Sequence, residues 1–204
     1  MIDVEVFSTA GIGKHNEDYV LHTEIAPDIS LIVVCDGMGG LSYGADASKT
    51  IAHSIDNYLR QDLCIHKPEQ SIINALHYAN DELAKECVRL KSKMGASVAL
   101  ALFVGNACYY TWLGDVRIYL ATEGKRELLT KDHLAIEGNH SFLSRCINGK
   151  DFRHIPEVGE LAISSGDEVY IATDGYYLHN EMGAMIESVI TADDDATFVC
   201  IRLK

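Results

Sequence analysis

The stretch LIVVCDGMGG, residues 31–40, combines a clear strand pattern with an unusual ending. A continuous apolar run leads directly to Asp36, and three of the next four residues are glycines. Such a run is typical of a strand that is covered on both faces of its sheet. A carboxylate followed by glycines at the end of a strand has two interpretations, a tight turn or a metal ligand, and the rest of the sequence must separate them.

Length and composition favour one globular domain over residues 1–204. A chain of 204 residues with 48% hydrophobic residues can bury a substantial core. Its 30 acidic and 17 basic side chains leave a net charge of −13, which repels nucleic acid. No apolar run approaches the roughly 20 residues of a membrane helix, and the first residues lack the basic region of a signal peptide. Six scattered cysteines without CxxC spacing are typical of free thiols in the cytoplasm. We therefore expect a cytoplasmic protein, most simply a monomer, with neither nucleic-acid nor membrane partners.

Hydrophobic patterning predicts strands in two blocks with a pair of long helices between them. Alternating or continuous apolar residues predict strands at 3–8, 19–25, 30–35, 96–104, 107–114, 116–122, 167–175 and 196–203. Helical spacing predicts helices at 45–61, at about 69–91 and at about 181–190. The economical packing of such blocks is sheet on sheet with helices outside.

Asp36 shares its placement at the end of a predicted strand with four other acidic sites. These are Asp115, Asp174, the pair Asp194 and Asp195, and the pair Glu17 and Asp18. Each site taken alone is consistent with a simple turn, because Asp-Gly pairs are common turn formers. If the sites converge on one rim, their mutual repulsion must be relieved by protons or by cations. Oxygen ligands without a Cys/His cluster favour Mg²⁺ or Mn²⁺ over zinc.

A series of short motifs occurs in order along the chain: GKHNED, DGMGG, GADAS, MGAS, LGDVRIY, LTKDH, GDEVYIATDG and DDAT. In this order the series resembles the PPM-type metal-dependent serine/threonine protein phosphatases, the protein phosphatase 2C family, from about residue 8 to 201. The resemblance implies an α+β fold, a four-layer α-β-β-α sandwich in which helices flank two packed antiparallel sheets. It also implies metal ions, Mn²⁺ or Mg²⁺, at one end of the sandwich.

The resemblance implies metal-binding roles for individual residues. Asp36 resembles the carboxylate that bridges two ions, and Gly37 would offer its backbone carbonyl to one of them. Asp174 and Asp194 resemble the other acids around the first ion. The catalytic importance of Asp36 and Asp174 follows from these roles, because each would organise the ions rather than make a single contact.

Further acids are implied around the second ion and around a third, weaker one. Glu17 and Asp18 match the pair that supports the second ion and orders its waters. Asp115 resembles a ligand of the third ion, which it would share with Asp174. The implied reaction is direct attack on a phosphate monoester by a water activated at the dinuclear centre, without a phosphoenzyme.

The sequence departs from the family pattern where the phosphate is held. Gly13 occupies the position of the usual phosphate-binding arginine, three residues before the Asn of NED. Lys14 and His15 are adjacent, and we predict Lys14 as the catalytic cation, although lysine does not reproduce the fork of an arginine. Arg145 is a second candidate. Met38 stands where many eukaryotic members carry a histidine that is proposed as a general acid.

The chain is also short between the DH of LTKDH and LSRCI, where the family usually has a longer flap. Only about ten residues lie there, so we predict a single PPM-type domain with a shortened flap over residues 1–204. The leading hypothesis is an active phosphatase whose partner is a phosphoserine or phosphothreonine protein. The alternatives are a weak or inactive phosphatase-fold module that binds or regulates a partner, and a phosphatase that acts on small phosphate esters.

Overall fold

The structure is a computed structural model that describes residues 2–38, 43–138, 140–182 and 193–203. The helices are α1 (Gly44–Asp62), α2 (Pro68–Leu90) and α3 (Asp174–Tyr177). The first six strands are β1 (Ile2–Thr9), β2 (Tyr19–Ala26), β3 (Ile29–Gly37), β4 (Ala96–Val104), β5 (Ala107–Leu113) and β6 (Arg117–Thr122). The remaining strands are β7 (Lys125–Leu128), β8 (Leu134–Glu137), β9 (His140–Leu143), β10 (Val158–Ala162), β11 (Glu168–Ala172) and β12 (Ala196–Leu203).

Two antiparallel five-stranded sheets form the centre of the molecule. The first sheet has the strand order β1-β12-β11-β6-β7, and the second has the order β10-β5-β4-β3-β2. Strands β8 and β9 form a separate two-stranded hairpin. Side chains from both five-stranded sheets meet in one apolar cluster, among them Ile32 and Val34 of β3 and Val199 and Ile201 of β12. The sheets are therefore packed face to face.

The apolar run before Asp36 is continuous because β3 is covered on both faces. Ile32 and Val34 point into the cluster between the sheets, while Leu31 and Val33 point into the cluster beneath the helices. Helices α1 and α2 cover this second sheet with side chains at helical spacing, including Ile51, Ile55, Leu59, Ile72 and Leu76. Burial of each such side chain contributes roughly 1.5–3 kcal/mol, so the helical pair is fixed by packing.

The opposite outer face of the sandwich is covered in part by the short helix α3. Tyr176 of α3 stacks on Phe198 of β12 with ring centroids 4.6 Å apart. These rings belong to a third apolar cluster with Tyr170 and Cys200. Helices thus lie outside both sheets, as a four-layer sandwich requires.

The predicted fold is confirmed: two packed antiparallel sheets are flanked by helices. All eight predicted strands and the two long helices are present within a few residues of their predicted bounds. The helix predicted at about 181–190 lies almost wholly in residues 183–192, outside the described residues. The structure adds β7, β8, β9, β10 and α3, which patterning did not predict. In the described ranges, no helix combines the length and the apolar character that a membrane crossing demands.

Candidate active site

The ends of β3, β4 and β5 bring Asp36 and Asp115 to the same edge of the second sheet. Asp36 is the next-to-last residue of β3 and pairs with Ser97 of β4. Ser97 Oγ donates a hydrogen bond of 3.0 Å to Asp115 Oδ1. Gly114, at the turn after β5, has a φ of +115°, and a Cβ there would lie 2.2 Å from Ser97 Cβ. Glycine therefore allows this turn to approach β4 closely enough for the contact.

The ends of β11 and β12 bring Asp174 beside the loop that precedes β12. The Thr173 N–H donates a hydrogen bond of 3.0 Å to the Thr197 carbonyl, and Thr173 Oγ1 accepts one of 2.9 Å from the Thr197 N–H. A Cβ at Gly175 would lie 2.2 Å from the Asp195 carbonyl oxygen. The first turn of α3 touches the acidic loop before β12 at this point, and a glycine is needed for the contact.

Asp195 ties the amino-terminal loop to the same edge. Its Oδ1 accepts a hydrogen bond of 2.8 Å from the Gly11 N–H, and its Oδ2 accepts one of 2.7 Å from the Glu17 N–H. Ser48 Oγ of α1 donates a hydrogen bond of 2.7 Å to the Glu17 carbonyl. These contacts place Glu17 and Asp18 beside the ends of both sheets.

Asp18 is the most buried of the predicted metal ligands that carry a carboxylate, with 8% of its surface exposed. Thr173 Oγ1 donates a hydrogen bond of 2.9 Å to its Oδ2, whereas its Oδ1 has no hydrogen-bond partner among the described residues. Burial raises the pKa of Asp18 to about 7, and the carboxylates of Asp195 and Asp174 add to the rise. A buried oxygen without a partner is costly, and a cation is one means of satisfying it.

Asp36 lies at the centre of the electrostatic repulsion in the site. Burial raises its pKa well above the usual range, and four other carboxylates raise the pKa further: Asp18, Asp174, Asp115 and Asp194. Burial also raises the pKa of Asp174, while a hydrogen bond from Asp36 lowers it. Without cations, burial and repulsion therefore favour the protonated form of Asp36.

The chemistry of these carboxylates fits divalent cations, although the acids do not already enclose one. The donors are carboxylate and backbone oxygens, which Mg²⁺ and Mn²⁺ prefer, and the unpartnered oxygen of Asp18 marks uncompensated charge. Within the described ranges, no group of three or more His, Cys, Asp or Glu side chains is arranged to hold a metal ion. Coulomb repulsion acts well beyond ligand distance, so the acids interact without forming a closed cage. Bound ions would have to draw the carboxylates together.

Glu17 lies over the first turn of α1. Its carboxylate accepts a hydrogen bond from the Gly44 N–H, and a Cβ at Gly44 would lie 2.6 Å from Glu17 Cδ. The Gly37 N–H donates a hydrogen bond of 3.2 Å to the Glu17 carbonyl. A Cβ at Gly37 would lie 2.7 Å from the Gly44 carbonyl oxygen. Gly37 therefore allows three backbone segments to approach one another closely. The dipole of α1 favours the negative charge of Glu17 at the start of that helix.

The Gly37→Ala variant tests this close approach. We expect it to lower the free energy of unfolding by about 1–3 kcal/mol, because its methyl group would overlap backbone atoms that cannot move independently. We also expect weaker Mn²⁺ binding, since the shift displaces Glu17 and the Gly37 carbonyl. Urea unfolding and calorimetric titration with Mn²⁺ measure the two effects.

Gly105→Ala is the control for that variant. Gly105 has a φ of +60° in the turn between β4 and β5, and nothing lies within 4 Å of a Cβ there. Its replacement costs about 1–2 kcal/mol through backbone strain alone and should leave Mn²⁺ binding unchanged. Equal Mn²⁺ affinities for the two variants would contradict the assignment of Gly37 to the site.

A cavity of about 380 Å³ lies beside Asp115 and Asp174. Arg117 lines it and donates hydrogen bonds of 3.0 and 2.8 Å to the two carboxylate oxygens of Asp132. The Arg117 guanidinium carbon lies 3.8 Å from the centroid of the Tyr177 ring, and the Tyr177 hydroxyl donates a hydrogen bond of 3.0 Å to the Asp115 carbonyl. The group formed by Arg117, Asp132 and Tyr177 was not predicted from the sequence. Arg117 lies in the motif LGDVRIY and Asp132 lies in LTKDH, but the pairing of the two side chains depends on the tertiary fold.

Lys14, the predicted phosphate-binding cation, lies at this end of the molecule. Its Nζ is 3.4 Å from Asp194 Oδ1, and the two side chains are 52% and 58% exposed, so the ion pair is weak and Lys14 remains available. Gly13 has a φ of +74°, which would strain an arginine at that position. Arg145 instead lines a different cavity, with its Nη1 3.5 Å from Glu157 Oε1.

The structure thus brings most of the predicted site residues together. Electrostatic interactions join Asp36 to Asp18, Asp115, Asp174 and Asp194. Glu17 and Gly37 lie in direct contact beside them. The metal-binding roles of these residues, and the catalytic roles of Asp36, Asp174 and Lys14, remain predictions.

A sandwich of two antiparallel sheets with acids at its strand ends defines a known class of protein. The family model described as protein phosphatase 2C matches residues 8–198 of this chain. The chain therefore belongs to the protein phosphatase 2C family.

Individual relatives are distant in sequence. Protein phosphatase PhpP of Streptococcus pneumoniae serotype 2 is 23% identical over 205 residues, which cover 88% of this chain and 80% of that protein. Mouse protein phosphatase 1E is 26% identical over 100 residues, which cover 49% of this chain and only 13% of the relative. The solved structure of the catalytic domain of the serine/threonine protein phosphatase PstP, in complex with two manganese ions, has a TM-score of 0.79 and 20% identity. That alignment covers 98% of this chain and 97% of the PstP chain, and the likeness shows the fold.

Proposed function

We propose that this chain is a divalent-cation-dependent protein phosphatase that removes phosphate from phosphoserine and phosphothreonine. The observation that carries the proposal is the group of buried, mutually repelling carboxylates at the strand ends, in which Asp18 keeps one oxygen without a partner among the described residues. Membership of the protein phosphatase 2C family supports the reaction class. The two manganese ions in the PstP complex support the choice of cofactor.

Seven residues are proposed to hold two Mn²⁺ or Mg²⁺ ions and a third, weaker one: Glu17, Asp18, Asp36, Gly37, Asp115, Asp174 and Asp194. Once bound, the ions would supply an activated water and neutralise charge on the phosphoryl oxygens. Glu17 and Asp18 take their positions from the hydrogen bonds of Asp195 and Thr173. Gly37 allows a close approach of Glu17 and Gly44, and Gly175 allows a close approach of the loop that contains Asp194 and Asp195.

The remaining residues of the site orient the phosphate ester. The cavity of about 380 Å³ beside Asp115 and Asp174 admits the phosphoryl group. Lys14 provides a positive charge for the phosphoryl oxygens. Met38 follows Gly37 and has no proton to give to the leaving oxygen. Aryl phosphates should therefore be hydrolysed faster than alkyl phosphates, because a phenolate leaves with less help from an acid.

Hydrolysis of p-nitrophenyl phosphate and of a phosphothreonine peptide tests the proposed function. We expect both substrates to be turned over with Mn²⁺ present and neither to be turned over with excess chelator, because the carboxylates alone repel a phosphate dianion. Phosphate release and nitrophenolate absorbance measure the two reactions. Turnover that persists unchanged in chelator would refute the proposal. A marked preference for phosphorylated metabolites over phosphopeptides would indicate that the substrate is a small phosphate ester and not a protein.

A weak or inactive module that binds a partner is the second candidate function. Two observations favour it: the described acids form no ready ligand group, and Gly13 replaces the phosphate-binding arginine. Calorimetric titration separates it from the first candidate. A protein that takes up no Mn²⁺ at millimolar concentration would belong to this second class.

We also propose that residues 1–204 act as one domain and that the protein is a cytoplasmic monomer in phosphorylation signalling. One apolar cluster joins the two sheets, and a second joins the helices to the second sheet. Cooperative unfolding in a single transition tests the single domain, and the molar mass from light scattering tests the monomer.

A further inference from the structure

A second cavity, of about 670 Å³, lies beside the β8–β9 hairpin and is unusually basic for this chain. The segment that follows β9 contributes Arg145, Lys150, Arg153 and His154 to its lining, against a single lining acid, Asp151. The protein as a whole carries a net charge of −13. A local excess of cations on such a protein concentrates anions at one place on the surface.

The basic side chains of this cavity have few hydrogen bonds or ion pairs within the described ranges. Arg153 differs from the chain's six other arginines, because each of those donates a hydrogen bond to an acceptor and Arg153 donates none to a described residue. Lys150 and His154 also lack side-chain hydrogen bonds and ion pairs within the described ranges. Arg145 has two long contacts within the described ranges, each of 3.5 Å, from its Nη1 to Glu157 Oε1 and to His133 Nε2. Positive charge in the cavity is therefore free to meet a ligand.

The basic cavity adjoins the candidate active site through the hairpin. Phe142 and Leu143 line the basic cavity and also line the smaller cavity that contains Asp115 and Asp174. Phe142, which lines both cavities, is 48% exposed, and Ile136 of the same hairpin is 81% exposed. A peptide with its phosphorylated residue in the smaller cavity can cross this apolar ridge into the basic cavity.

We propose that the basic cavity binds a carboxylate-rich flank of the phosphoprotein substrate, so that the enzyme prefers sites followed or preceded by Asp and Glu. This inference rests on the proposed phosphatase function and adds a substrate preference to it. Guanidinium and ammonium groups pair with carboxylates by charge-assisted hydrogen bonds. Exposed apolar side chains on the hairpin give the peptide backbone a surface to lie on.

Charge reversal at Arg153 is the test, because this residue lines the basic cavity and has no part in the candidate active site. Arg153→Glu is compared with the wild-type full chain, loaded with Mn²⁺, on two phosphothreonine peptides of equal length. One peptide has Asp and Glu around the phosphothreonine, and the other has Ala and Ser there. We expect kcat/KM for the acidic peptide to fall about tenfold and kcat/KM for the neutral peptide to stay unchanged. The loss should lie in KM and should shrink at high ionic strength.

Two control variants and one control substrate accompany the test. Lys125→Glu makes the same charge change on exposed strand β7, outside the lining of the basic cavity, and should leave both peptides unaffected. Arg153→Lys keeps the charge and should retain much of the preference. Turnover of p-nitrophenyl phosphate should be equal in all variants, since that ester has no peptide flank.

Equal effects of Arg153→Glu on both peptides, or no effect on either, would overturn the inference. A loss seen only with a doubly phosphorylated peptide would also overturn it, because the cavity would then select phosphate. If the wild-type protein fails to hydrolyse p-nitrophenyl phosphate, the proposed function fails instead. Fluorescence anisotropy of the labelled acidic peptide then still tests the cavity, with weaker binding to Arg153→Glu as the expected result and equal binding as the contrary one.

Discussion

The Asp36→Asn variant is expected to lose at least about a thousandfold in Mn²⁺-dependent turnover while remaining folded. Asp36 interacts with four other acids and is the predicted bridge between two ions, so an amide there removes the charge that would hold both. The fold should survive, because the amide has nearly the same shape as the carboxyl group and its N–H₂ can donate a hydrogen bond to Asp174. Without metal, we expect the melting temperature to be equal to or higher than that of the wild type, since one source of repulsion is gone.

Measuring both turnover and thermal stability separates a metal-binding role of Asp36 from a structural one. Asp28→Asn makes the same chemical change at the opposite end of β3, where Asp28 has a φ of 61° that asparagine tolerates, and it should alter neither property. Turnover of p-nitrophenyl phosphate and thermal unfolding with and without Mn²⁺ give the two readouts. A variant with reduced turnover and equally reduced metal-free stability would indicate that Asp36 only supports the fold.

The metal-free protein is expected to lose stability as the pH rises from about 4 to 7, the reverse of the usual behaviour of paired carboxylates. Burial raises the pKa of Asp18 to about 7 and also raises the pKa values of Asp36 and Asp174. The folded state therefore keeps protons that the unfolded chain releases from about pH 4 upward. Stability from these groups is full below that pH and is lost as the pH rises through the folded-state pKa.

Urea unfolding at pH 5 and pH 7, with and without Mn²⁺, measures this dependence. Saturating Mn²⁺ at pH 7 should restore the lost stability, by about 2.7 kcal/mol at a concentration one hundred times its Kd. Asp18→Asn should flatten the slope, because an amide does not titrate. Metal-free stability that rises from pH 5 to pH 7 in the wild type, with the same slope in Asp18→Asn, would contradict the assignment of unrelieved repulsion to these acids.

The elements that were predictable from the sequence are the long ones, because their burial gives a long run or period of apolar residues. The runs of β3 and β4 are apolar on both faces because each strand lies between a helical layer and a second sheet. The short elements β7 to β10 were not predicted. Strand β7 is exposed at all four positions and β8 at three of its four, so neither carries a hydrophobic period to detect.

The candidate site was predictable as far as each acid lies next to one end of a strand. Asp36 and Asp174 stand at points where apolar runs stop, which fixes them at sheet ends. The run of three acids at 193–195 carries no such signal. Only the fold shows that Asp194 and Asp195 make different contacts. Asp194 faces Lys14, whereas Asp195 turns inward to hold two backbone N–H groups. The pairing of Arg117 with Asp132 likewise depends on how β6 packs.

The hydrogen bonds that Asp195 accepts from the Gly11 and Glu17 N–H groups have a consequence for folding. The Asp195 carboxylate grips the Gly11 N–H, 184 positions earlier in the chain, and β12 zips against β1 along its whole length. The segment from β1 to β12 must therefore have left the ribosome before the two strands can pair and the acidic residues can come together. Partial chains are left with an unfinished sheet edge, and contacts between such distant segments make folding slow. The proposed activity should therefore appear only after β12 has been synthesised and has paired with β1.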